Sequence, residues 1–440
     1  MSQYLIASVP IHGHVTPLLG IATELTRRGH RVRFLTGARF ADAVARTGSE
    51  FLALPTEADY DDRVISAVLA RERPAGIAGL RYDVAQNFLR PARAQYDALL
   101  ELTMDDPTQP DAVLVDPTFI GAMLLAGHPR DTRPPVIVAG MLPLPLASTA
   151  VPPFGLGFRP WRGPFNRVRN TVLRALVEKV VFGPVQADLD QLHRSVHGRA
   201  AEAFVVNWMS EADAIVQLSV PGFEYPRPDA TVPIRFAGPV IAPTDGPLPS
   251  WWSDLDGARP VVLATQGTIA NQDYHDLVRP TIDALATEDV LLVVTTGGRP
   301  IEELGELPAN VRADRFLPYD KLFPHLDLLV TNGGYGGVHY ALANAVPIVI
   351  AGDTEDKPEV AARVAWSGTG INLHTGHPSV TAIRRAVRKT LSSPRYREAA
   401  AVLAEQIRAT RGIDELIDTV AASSTDRGRP GRKTPTRDAS

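Results

Sequence analysis

"YLIASVPIHGHVTPLLGIATELTRRGHRVRFLTG", residues 4–37, has the pattern of a strand, a helix and a second strand. YLIASV is an apolar run short enough for a buried strand, and PIHGHV predicts a loop. Thr16 and Pro17 predict the N-cap and first turn of a helix, which Gly29 ends before the second strand, RVRFLTG. The apolar residues at helical spacing on one face of this helix are Leu18, Ile21, Ala22 and Leu25. Such a unit is the repeating element of α/β folds.

The same alternation continues along the chain in two series. Further predicted strands are AVLVD (112–116), PVIVAG (135–140) and AIVQLS (214–219) in the first half, and PVVLATQG (260–267), VLLVVTTGG (290–298), LDLLVTNGG (326–334) and VPIVIAG (346–352) in the second. Proline and glycine crowd the segment between them, which predicts an interdomain linker. We therefore expect an α/β protein with doubly wound domains. The predicted parts are domains at 1–220 and 259–400, the linker at 221–258, C-terminal helices at 401–423 and a disordered tail at 424–440.

The composition limits the kinds of site and partner. With 45 Lys+Arg against 49 Asp+Glu, the formal charge of -4 gives no reason to expect a nucleic-acid partner. The absence of cysteine excludes disulfides, thiolate metal sites and a cysteine nucleophile. MSQYLIASVP lacks the features of a secretory signal, and no apolar run reaches the roughly 18 residues of a membrane span. We expect a cytoplasmic, soluble monomer or homodimer that acts on a small molecule.

Two polar residues follow predicted strands, where open α/β folds bind ligands. His14 stands just before the predicted helix start, and the positive end of a helix disfavours a protonated imidazole and so helps keep a neutral base. Asp116 ends AVLVD, and a carboxylate there can fix the tautomer of a histidine by hydrogen bonding to it. The pair is a candidate general-base dyad. A histidine near a helix start is otherwise a capping or packing residue, and spacing alone leaves both interpretations open.

Two stretches carry motifs with a known counterpart. One is HGHVTPLLGIATELTRRGHRV (12–32), and the other is RFLPYDKLFPHLDLLVTNGGYGGVHYALANAVPIVIAGDTEDKPEVAARV (315–364). The first resembles the start of the family 1 glycosyltransferases, G-H-x-x-P, a helix and R-G-H-x-V. The second resembles the donor-binding block of that family, from W/F-x-P-Q through H-G-G-x-x-S to G-V-P and D-Q. This resemblance implies a GT-B fold, with two Rossmann-like domains facing across a cleft, and inverting sugar transfer from a nucleotide donor, with bacterial macrolide and natural-product glycosyltransferases looking nearest.

The resemblance also implies roles for the dyad. His14, and not His12, stands where the family has its catalytic histidine before x-x-P. Residues 110–116 match P-D-x-V-x-x-D, whose last residue, here Asp116, is the partner aspartate. The implied chemistry is removal of a proton from an acceptor hydroxyl by neutral His14 as that hydroxyl attacks the anomeric carbon. Asp116 stabilises the imidazolium that forms, and the nucleotide diphosphate leaves.

A glycine turn without a lysine, VTNGGYGG (330–337), is the main donor-binding feature. Backbone N–H groups at a strand-to-helix turn can stabilise a leaving diphosphate without a cation. The donor-binding residues implied by the resemblance are Gly267 and Thr268 in TQGT, Phe316 and Leu317 at the base, Asn332, Gly333, Gly334, Gly336 and Gly337 at the diphosphate, and Asp356 and Lys357 at the sugar.

Several donor positions depart from the family pattern. Asn332 replaces a histidine, Gly337 a serine, Tyr340 a glutamate and Tyr319 a glutamine. His339 could supply some of the lost positive charge, although a histidine on a helix face is more often packed. Lys357, which replaces a glutamine, could hold a sugar hydroxyl or pair with Glu355 or Glu359. These departures leave the nucleotide and the sugar open.

The acceptor-binding residues are predicted from a long Pro/Gly/aromatic stretch at 141–168 and one earlier helix. The candidates are Phe88, Phe154, Phe158 and Trp161, which could instead pack onto their own domain. The hypothesis is transfer of a hexose from a UDP- or dTDP-sugar to a hydroxyl of a polyketide, macrolide or phenolic acceptor, with no cofactor and no metal. The alternatives are a nucleotide-sugar epimerase of GT-B fold, which acts on the donor alone, and a non-catalytic binder of nucleotide sugars or natural products.

Overall fold

The computed structural model describes residues 1–61, 74, 76–105, 108–241, 247–268 and 270–425, and it contains two parallel sheets. The first sheet has the order β3-β2-β1-β4-β5-β6-β7, formed by β1 Gln3–Ala7, β2 Arg31–Thr36, β3 Glu50–Ala53, β4 Ala112–Val115, β5 Val136–Gly140, β6 Ala214–Gln217 and β7 Ile234–Phe236. The second has the order β10-β9-β8-β11-β12-β13, formed by β8 Val261–Thr265, β9 Leu291–Thr295, β10 Val311–Asp314, β11 Leu328–Thr331, β12 Ile348–Ile350 and β13 Gly370–Asn372.

Helices connect the strands on both faces of each sheet. In the first half they are α1 His12–Arg27, α2 Ala41–Arg46, α3 Gly76–Asp83, α4 Ala92–Thr103, α5 Gly121–Ala126, α6 Phe165–Leu176 and α7 Gly183–His197. In the second half they are α8 Val278–Leu285, α9 Tyr319–Leu322, α10 Tyr335–Ala343, α11 Lys357–Ser367, α12 Val380–Leu391, α13 Pro394–Arg408 and α14 Ile413–Thr425. Two π-helical segments, Val84–Leu89 and Val177–Val181, follow α3 and α6. None of the helices among the described residues has the length and apolar character needed to cross a bilayer.

Alternate side chains of the central strands enter different cores. In β1, Leu5 and Ala7 lie in one apolar cluster, whereas Tyr4 and Ile6 lie in the cluster on the opposite face. The residues of β8 divide in the same way between the two clusters of the second sheet. Strands that are buried on both faces must be apolar throughout, which explains the continuous apolar runs in the sequence. The prediction of doubly wound α/β domains is confirmed.

The first helix begins earlier than the sequence analysis predicts. The N–H groups of His14 and Val15 both donate to the carbonyl of Ile11, so α1 starts at His12. The predicted N-cap is wrong, because the Thr16 hydroxyl bonds back to the His12 carbonyl at 2.8 Å within the helix. Pro17 lies inside α1. His14 is therefore in the first helical turn and not in a loop, whereas the predicted apolar face of the helix is buried as expected.

Two segments outside the predicted first domain, a strand and a helix, are part of its structure. The short strand β7 lies within 221–258 and pairs with β6. The last helix, α14, returns to pack on β6, β7 and α1, and Leu416 and Val420 enter the core on that face. An ion pair between Arg28 and Asp414 joins α1 to this helix. Residues 424 and 425 of the predicted tail end α14, and 426–440 lie outside the described residues.

Candidate active site

Each sheet reverses its winding direction at one pair of central strands. In the first sheet β1 lies between β2 and β4, and in the second β8 lies between β9 and β11. Connections that leave such a pair in opposite directions open a crevice at the carboxyl ends of the strands, where α/β folds bind ligands. His14 and Asp116 follow β1 and β4, and the turns TQGT and NGGYGG follow β8 and β11. The topology therefore puts all four predicted site segments at the two switch points.

His14 and Asp116 are in contact. Nδ1 of His14 lies 3.3 Å from Oδ1 of Asp116, and the carboxylate is fully buried while 18% of the histidine side chain is exposed. The other carboxylate oxygen accepts the N–H of Val9 at 2.7 Å. An ionised carboxylate can only accept, so the proton of this contact lies on Nδ1 of His14 and Nε2 is the basic nitrogen. This is the tautomer that a general base needs.

Thr118 is a third member of this group that was not predicted from the sequence. Its hydroxyl donates to Oδ1 of Asp116 at 2.6 Å, its N–H donates to the same oxygen at 2.7 Å, and the hydroxyl lies 3.3 Å from Nδ1 of His14. The sequence pattern that could have indicated this contact is a threonine two residues after an aspartate, because the aspartate side chain often bonds to the backbone two residues on. Thr118 fixes the orientation of the carboxylate that holds His14.

The two members of the dyad shift each other's pKa in opposite directions. Burial lowers the pKa of His14, but the hydrogen bond and charge of Asp116, with smaller effects from Asp356 and Glu355, raise it above its ordinary value. Burial raises the pKa of Asp116, whereas His14, Thr118 and the Val9 N–H hold it below its ordinary value. The buried carboxylate therefore sets the direction of the shift in the pKa of His14, and the effect expected from the helix end stays a prediction. Asp356 and Glu355, at the start of α11 in the second domain, are therefore near enough for their charges to act on His14.

The glycine turn after β11 leaves an open face at the start of α10. Gly333 has φ 105°, which favours glycine, and a Cβ there would lie 2.9 Å from Ile350. Apart from the adjoining residues and the backbone of the helix itself, a Cβ on Gly334, Gly336 or Gly337 would meet no described protein atom within 4 Å. The first backbone bond into α10 joins the Val338 N–H to the Gly334 carbonyl, so the N–H groups before it have no intrahelical partner. These open N–H groups at a helix start can bind an anion.

Asn332 and His339 stabilise this turn from within the protein. The amide nitrogen of Asn332 donates to the carbonyls of Gln266 at 2.6 Å and Ala270 at 3.2 Å, which ties the turn after β11 to the turn after β8. His339 is buried, with Nδ1 2.9 Å from the Tyr335 carbonyl and Nε2 2.8 Å from the Ser219 hydroxyl. Burial lowers the pKa of His339 to about 4. It is therefore neutral and packed, and does not replace a lost positive charge.

The remaining donor candidates surround the same end of the second sheet. Gly267 has φ 71° and open space at its Cβ position, and the adjacent Thr268 is exposed. The ring of Phe316 is 66% exposed and lies over Gly298, where a Cβ would lie 2.7 Å from the ring, while the side chain of Leu317 is buried. An exposed aromatic ring at this position is a surface on which a base can stack.

Two of the residues that depart from the family pattern are tyrosines packed against other aromatic rings. Tyr340 stacks on Phe323 with ring centroids 5.6 Å apart, and Tyr319 meets Tyr340 edge to face at 5.7 Å. The Tyr319 hydroxyl lies 3.5 Å from that of Thr265. Both tyrosines therefore contribute to the apolar packing behind the cleft.

Asp356 and Lys357 begin α11 at the cleft. Asp356 is the N-cap residue, and burial raises its pKa. Lys357 is buried, and its ammonium pairs with Glu355, as one of the predicted alternatives has it. The start of α11 therefore presents carboxylates toward His14 and keeps its lysine paired.

The acceptor candidates occupy three different environments. Phe88 is half-buried against the core of the first domain. Phe154 lines a cavity together with Glu359 and Arg363 of α11. Phe158 and Trp161 are 47% and 57% exposed, and the guanidinium of Arg169 lies 4.1 Å from the Trp161 ring centroid. The loop candidates are thus available at the surface or in the cavity, and Phe88 stays a predicted acceptor residue that also packs on the core.

Two doubly wound domains, with a histidine–aspartate pair at one switch point and an open glycine-lined helix start at the other, define a glycosyltransferase of the GT-B class. Residues 279–422 match the family described as "Erythromycin biosynthesis protein CIII-like, C-terminal domain". The chain is 40% identical to 4'-demethylrebeccamycin synthase of Lentzea aerocolonigenes, with 95% of this chain and 99% of that protein covered. It is 35% identical to UDP-glycosyltransferase 2 of Phaeomoniella chlamydospora, with 94% of each covered.

Solved structures agree on the fold. The glycotransferase of kitacinnamycin superposes with a TM-score of 0.70 at 23% identity, covering 96% of this chain and 98% of that one. The calicheamicin glycosyltransferase CalG4 superposes with a TM-score of 0.67 at 24% identity, covering 98% and 100%. The chain belongs to the family 1 glycosyltransferases, and it is an enzyme of the hexosyltransferase type. The resemblance noted in the sequence is confirmed.

Proposed function

We propose that the protein is an inverting glycosyltransferase that moves a hexose from a UDP- or dTDP-sugar to a hydroxyl of a lipophilic small molecule. The observation that carries this proposal is the contact between His14 and Asp116, which leaves the basic Nε2 atom for a proton at the cleft. The second domain faces this histidine with the start of α11. A base on one domain and a donor site on the other are the requirements of a direct displacement.

In the proposed step, Nε2 of His14 takes the proton of the acceptor hydroxyl as the oxygen attacks the anomeric carbon of the donor. A new carbon–oxygen bond forms on one face of the sugar, while the bond to the diphosphate breaks on the other with its electron pair. The configuration at that carbon is inverted. The negative charge of Asp116 stabilises the imidazolium that results.

The leaving diphosphate is stabilised by backbone groups, without a metal ion. Tyr335, Gly336 and Gly337 present N–H groups at the positive end of α10, and the glycines leave the space a phosphate needs. The charge that develops on the leaving oxygen interacts more strongly with these fixed N–H groups than the charge of the bound nucleotide sugar does. Phe316 supplies the surface for the nucleobase, and Asp356 supplies an acceptor for sugar hydroxyls.

The kind of acceptor is proposed from the first-domain loop and from the relatives. Phe154 lines a cavity, and Phe158 and Trp161 are exposed aromatic groups on the same loop. Relatives and structural neighbours include proteins named for rebeccamycin, calicheamicin and spinosyn. These names support an acceptor of the polyketide, macrolide or aromatic natural-product class.

The test is a transfer assay with the purified protein. UDP- and dTDP-hexoses are each incubated with a panel of aromatic, macrolide and polyketide acceptors, and products are identified by mass spectrometry and the anomeric configuration by NMR. The expected result is an acceptor-linked hexose of inverted configuration. Interconversion of donor sugars without an acceptor would indicate an epimerase, and tight donor binding without turnover would indicate a binder; either result, or a product of retained configuration, would overturn the proposal.

A further inference from the structure

One carboxylate of the donor domain accepts two hydrogen bonds from the loop that carries Phe154 and Phe158. Oε1 of Glu359, in the first turn of α11, accepts the N–H of Gly155 and the N–H of Gly157, each at 2.9 Å. Glu359 is only 4% exposed. Two N–H groups that converge on one carboxylate oxygen form a small anion-binding nest. A loop of the first domain therefore binds a carboxylate of the second domain.

The sequence FGLGF (154–158) is suited to this contact. Gly155 and Gly157 have φ of 96° and 62°, values that side chains other than glycine rarely adopt. A Cβ on Gly157 would also lie 2.9 Å from Cβ of Pro358, so only glycine allows the loop to approach α11 this closely. The two N–H groups that bind Glu359 and the close approach of the loop to α11 both depend on these glycines.

Glu359 is in turn held by a buried polar network. Its other oxygen lies 3.0 Å from the guanidinium of Arg363, which also contacts Glu224 of the linker at 3.0 Å. Glu224 accepts the hydroxyl of Tyr335, the first residue of α10, at 3.2 Å. Burial opposes the charge of Arg363, but Glu224 and Glu359 raise its pKa above the ordinary value, so the guanidinium stays charged. The acceptor loop is thus connected to the helix whose N-terminus is the proposed diphosphate site.

We propose that Glu359 is a positioning residue for the acceptor: from the donor domain it holds the loop at 154–158 in the place where Phe154 and Phe158 form the acceptor pocket. This inference rests on the proposed function, since it assigns a role in the same transfer. Glu359 lies three residues after Asp356 in the helix that faces His14, so the contact fixes the loop relative to the reacting groups. The acceptor pocket is complete only when the two domains are together.

The test compares acceptor kinetics with donor chemistry. Glu359→Gln removes the charge from the nest, and Gly157→Ala disturbs the other side of the contact without touching the ionic network. For both variants the KM for the acceptor rises by about tenfold or more, because two charge-assisted hydrogen bonds to the loop are weakened. Hydrolysis of the donor by water and the Kd for the nucleotide stay within about twofold of the wild type.

Two controls separate positioning from loss of stability. Gly163→Ala also places a side chain at positive φ, 106°, in the same segment, but nothing lies within 4 Å of its Cβ position. Asp213→Asn weakens a buried ion pair with Arg133 before β6, at the opposite end of the sheet from the cleft. Both controls are expected to lower Tm while leaving the acceptor KM within about twofold.

The outcomes distinguish this inference from the proposed function. An unchanged acceptor KM in folded Glu359→Gln and Gly157→Ala, with wild-type transfer intact, overturns the positioning role alone. A rise of the acceptor KM in the Asp213→Asn control equal to that in Glu359→Gln also overturns it, because general destabilisation then explains the effect. Absence of transfer by the wild type contradicts the proposed function itself.

Discussion

Nδ1 of His14 and Oδ1 of Asp116 lie 3.3 Å apart although 102 residues separate them in the chain. The contact follows from the sheet: β1 and β4 are hydrogen-bonded neighbours, with Ala7 paired to Val115, so the segments that follow them meet at one edge. The N–H of Asp116 donates to the Ala7 carbonyl, which continues the ladder to the edge where His14 lies. A strand order that reverses at this pair is therefore what assembles the proposed base.

Asp116→Asn changes both the rate and its pH dependence. His14 acts as a base only when neutral, so kcat/KM falls as pH drops through its pKa, which lies above the ordinary value because Asp116 raises it. Loss of the charge lowers that pKa and moves the acid limb to lower pH, while the plateau of kcat/KM falls by about 100-fold or more. The measurement is kcat/KM from pH 5 to 9 for both proteins. An acid limb at the same pH in the variant would show that His14 is not the titrating group.

Thr118→Val removes the hydroxyl that holds the Asp116 carboxylate. The variant is expected to lose about 1–3 kcal/mol of stability at neutral pH, since a buried hydrogen bond to a charged group is lost. The pKa of Asp116 is depressed in the fold, so its stabilising contribution is present above its unfolded pKa and is lost as pH falls through the folded value. The loss in Thr118→Val is therefore largest near neutral pH and shrinks toward acid pH in urea unfolding. Thr118→Ser retains the hydroxyl and serves as the control; a pH-independent loss would contradict the account.

Gly334→Val fills the open face at the start of α10. Gly334 has φ -57° and no neighbours within 4 Å of its Cβ position, so the free energy of unfolding changes by less than about 0.5 kcal/mol. The added methyl groups occupy space proposed for the diphosphate, and the loss of one charge-assisted hydrogen bond weakens the Kd for UDP or dTDP by about tenfold or more. Calorimetry measures this, with Gly334→Ala as an intermediate case. Wild-type affinity in the valine variant would show that the diphosphate does not bind at this turn.

Phe316→Ala tests the surface proposed for the nucleobase. Base stacking on an aromatic ring contributes about 1–3 kcal/mol, and the nucleotide affinity is expected to fall by that amount. Phe316→Trp should preserve binding. Phe165 is an exposed aromatic residue on the first domain, and Phe165→Ala is a matched control whose nucleotide Kd should stay within about twofold. Equal losses in Phe316→Ala and the control would argue against stacking at this position.

The strands predicted from the sequence are the central ones, and the missed strands are the sheet edges. β3, β7, β10 and β13 are the outermost strands of the two sheets, have three or four residues and include half-buried or exposed positions. An edge strand pairs on one side only and tolerates polar residues, so it lacks the continuous apolar run that identifies a central strand. Periodicity therefore predicted the fold class but not the extent of each sheet.

The site shows the same division between local and tertiary information. His14 and Asp116 follow apolar strands, which indicates the edge of the sheet where they lie, and their pairing was predicted from the resemblance to the family 1 glycosyltransferases. The role of Asn332 as a tie between two turns could not, because its partners, Gln266 and Ala270, are distant in sequence and are backbone carbonyls with no residue signature. The contact of Glu359 with Gly155 and Gly157 escaped prediction for the same reason. Such contacts depend on how the two domains meet.

The most direct test of the account is the rate of sugar transfer by His14→Ala at saturating donor and acceptor. Loss of a general base is expected to lower kcat by about 100- to 10,000-fold, while the nucleotide Kd stays within about twofold because the proposed donor site lies on the other domain. His12→Ala, two residues earlier on the exposed side of the same turn, is the matched control and should retain most of the activity. Transfer by His14→Ala at close to the wild-type rate would contradict the proposed mechanism.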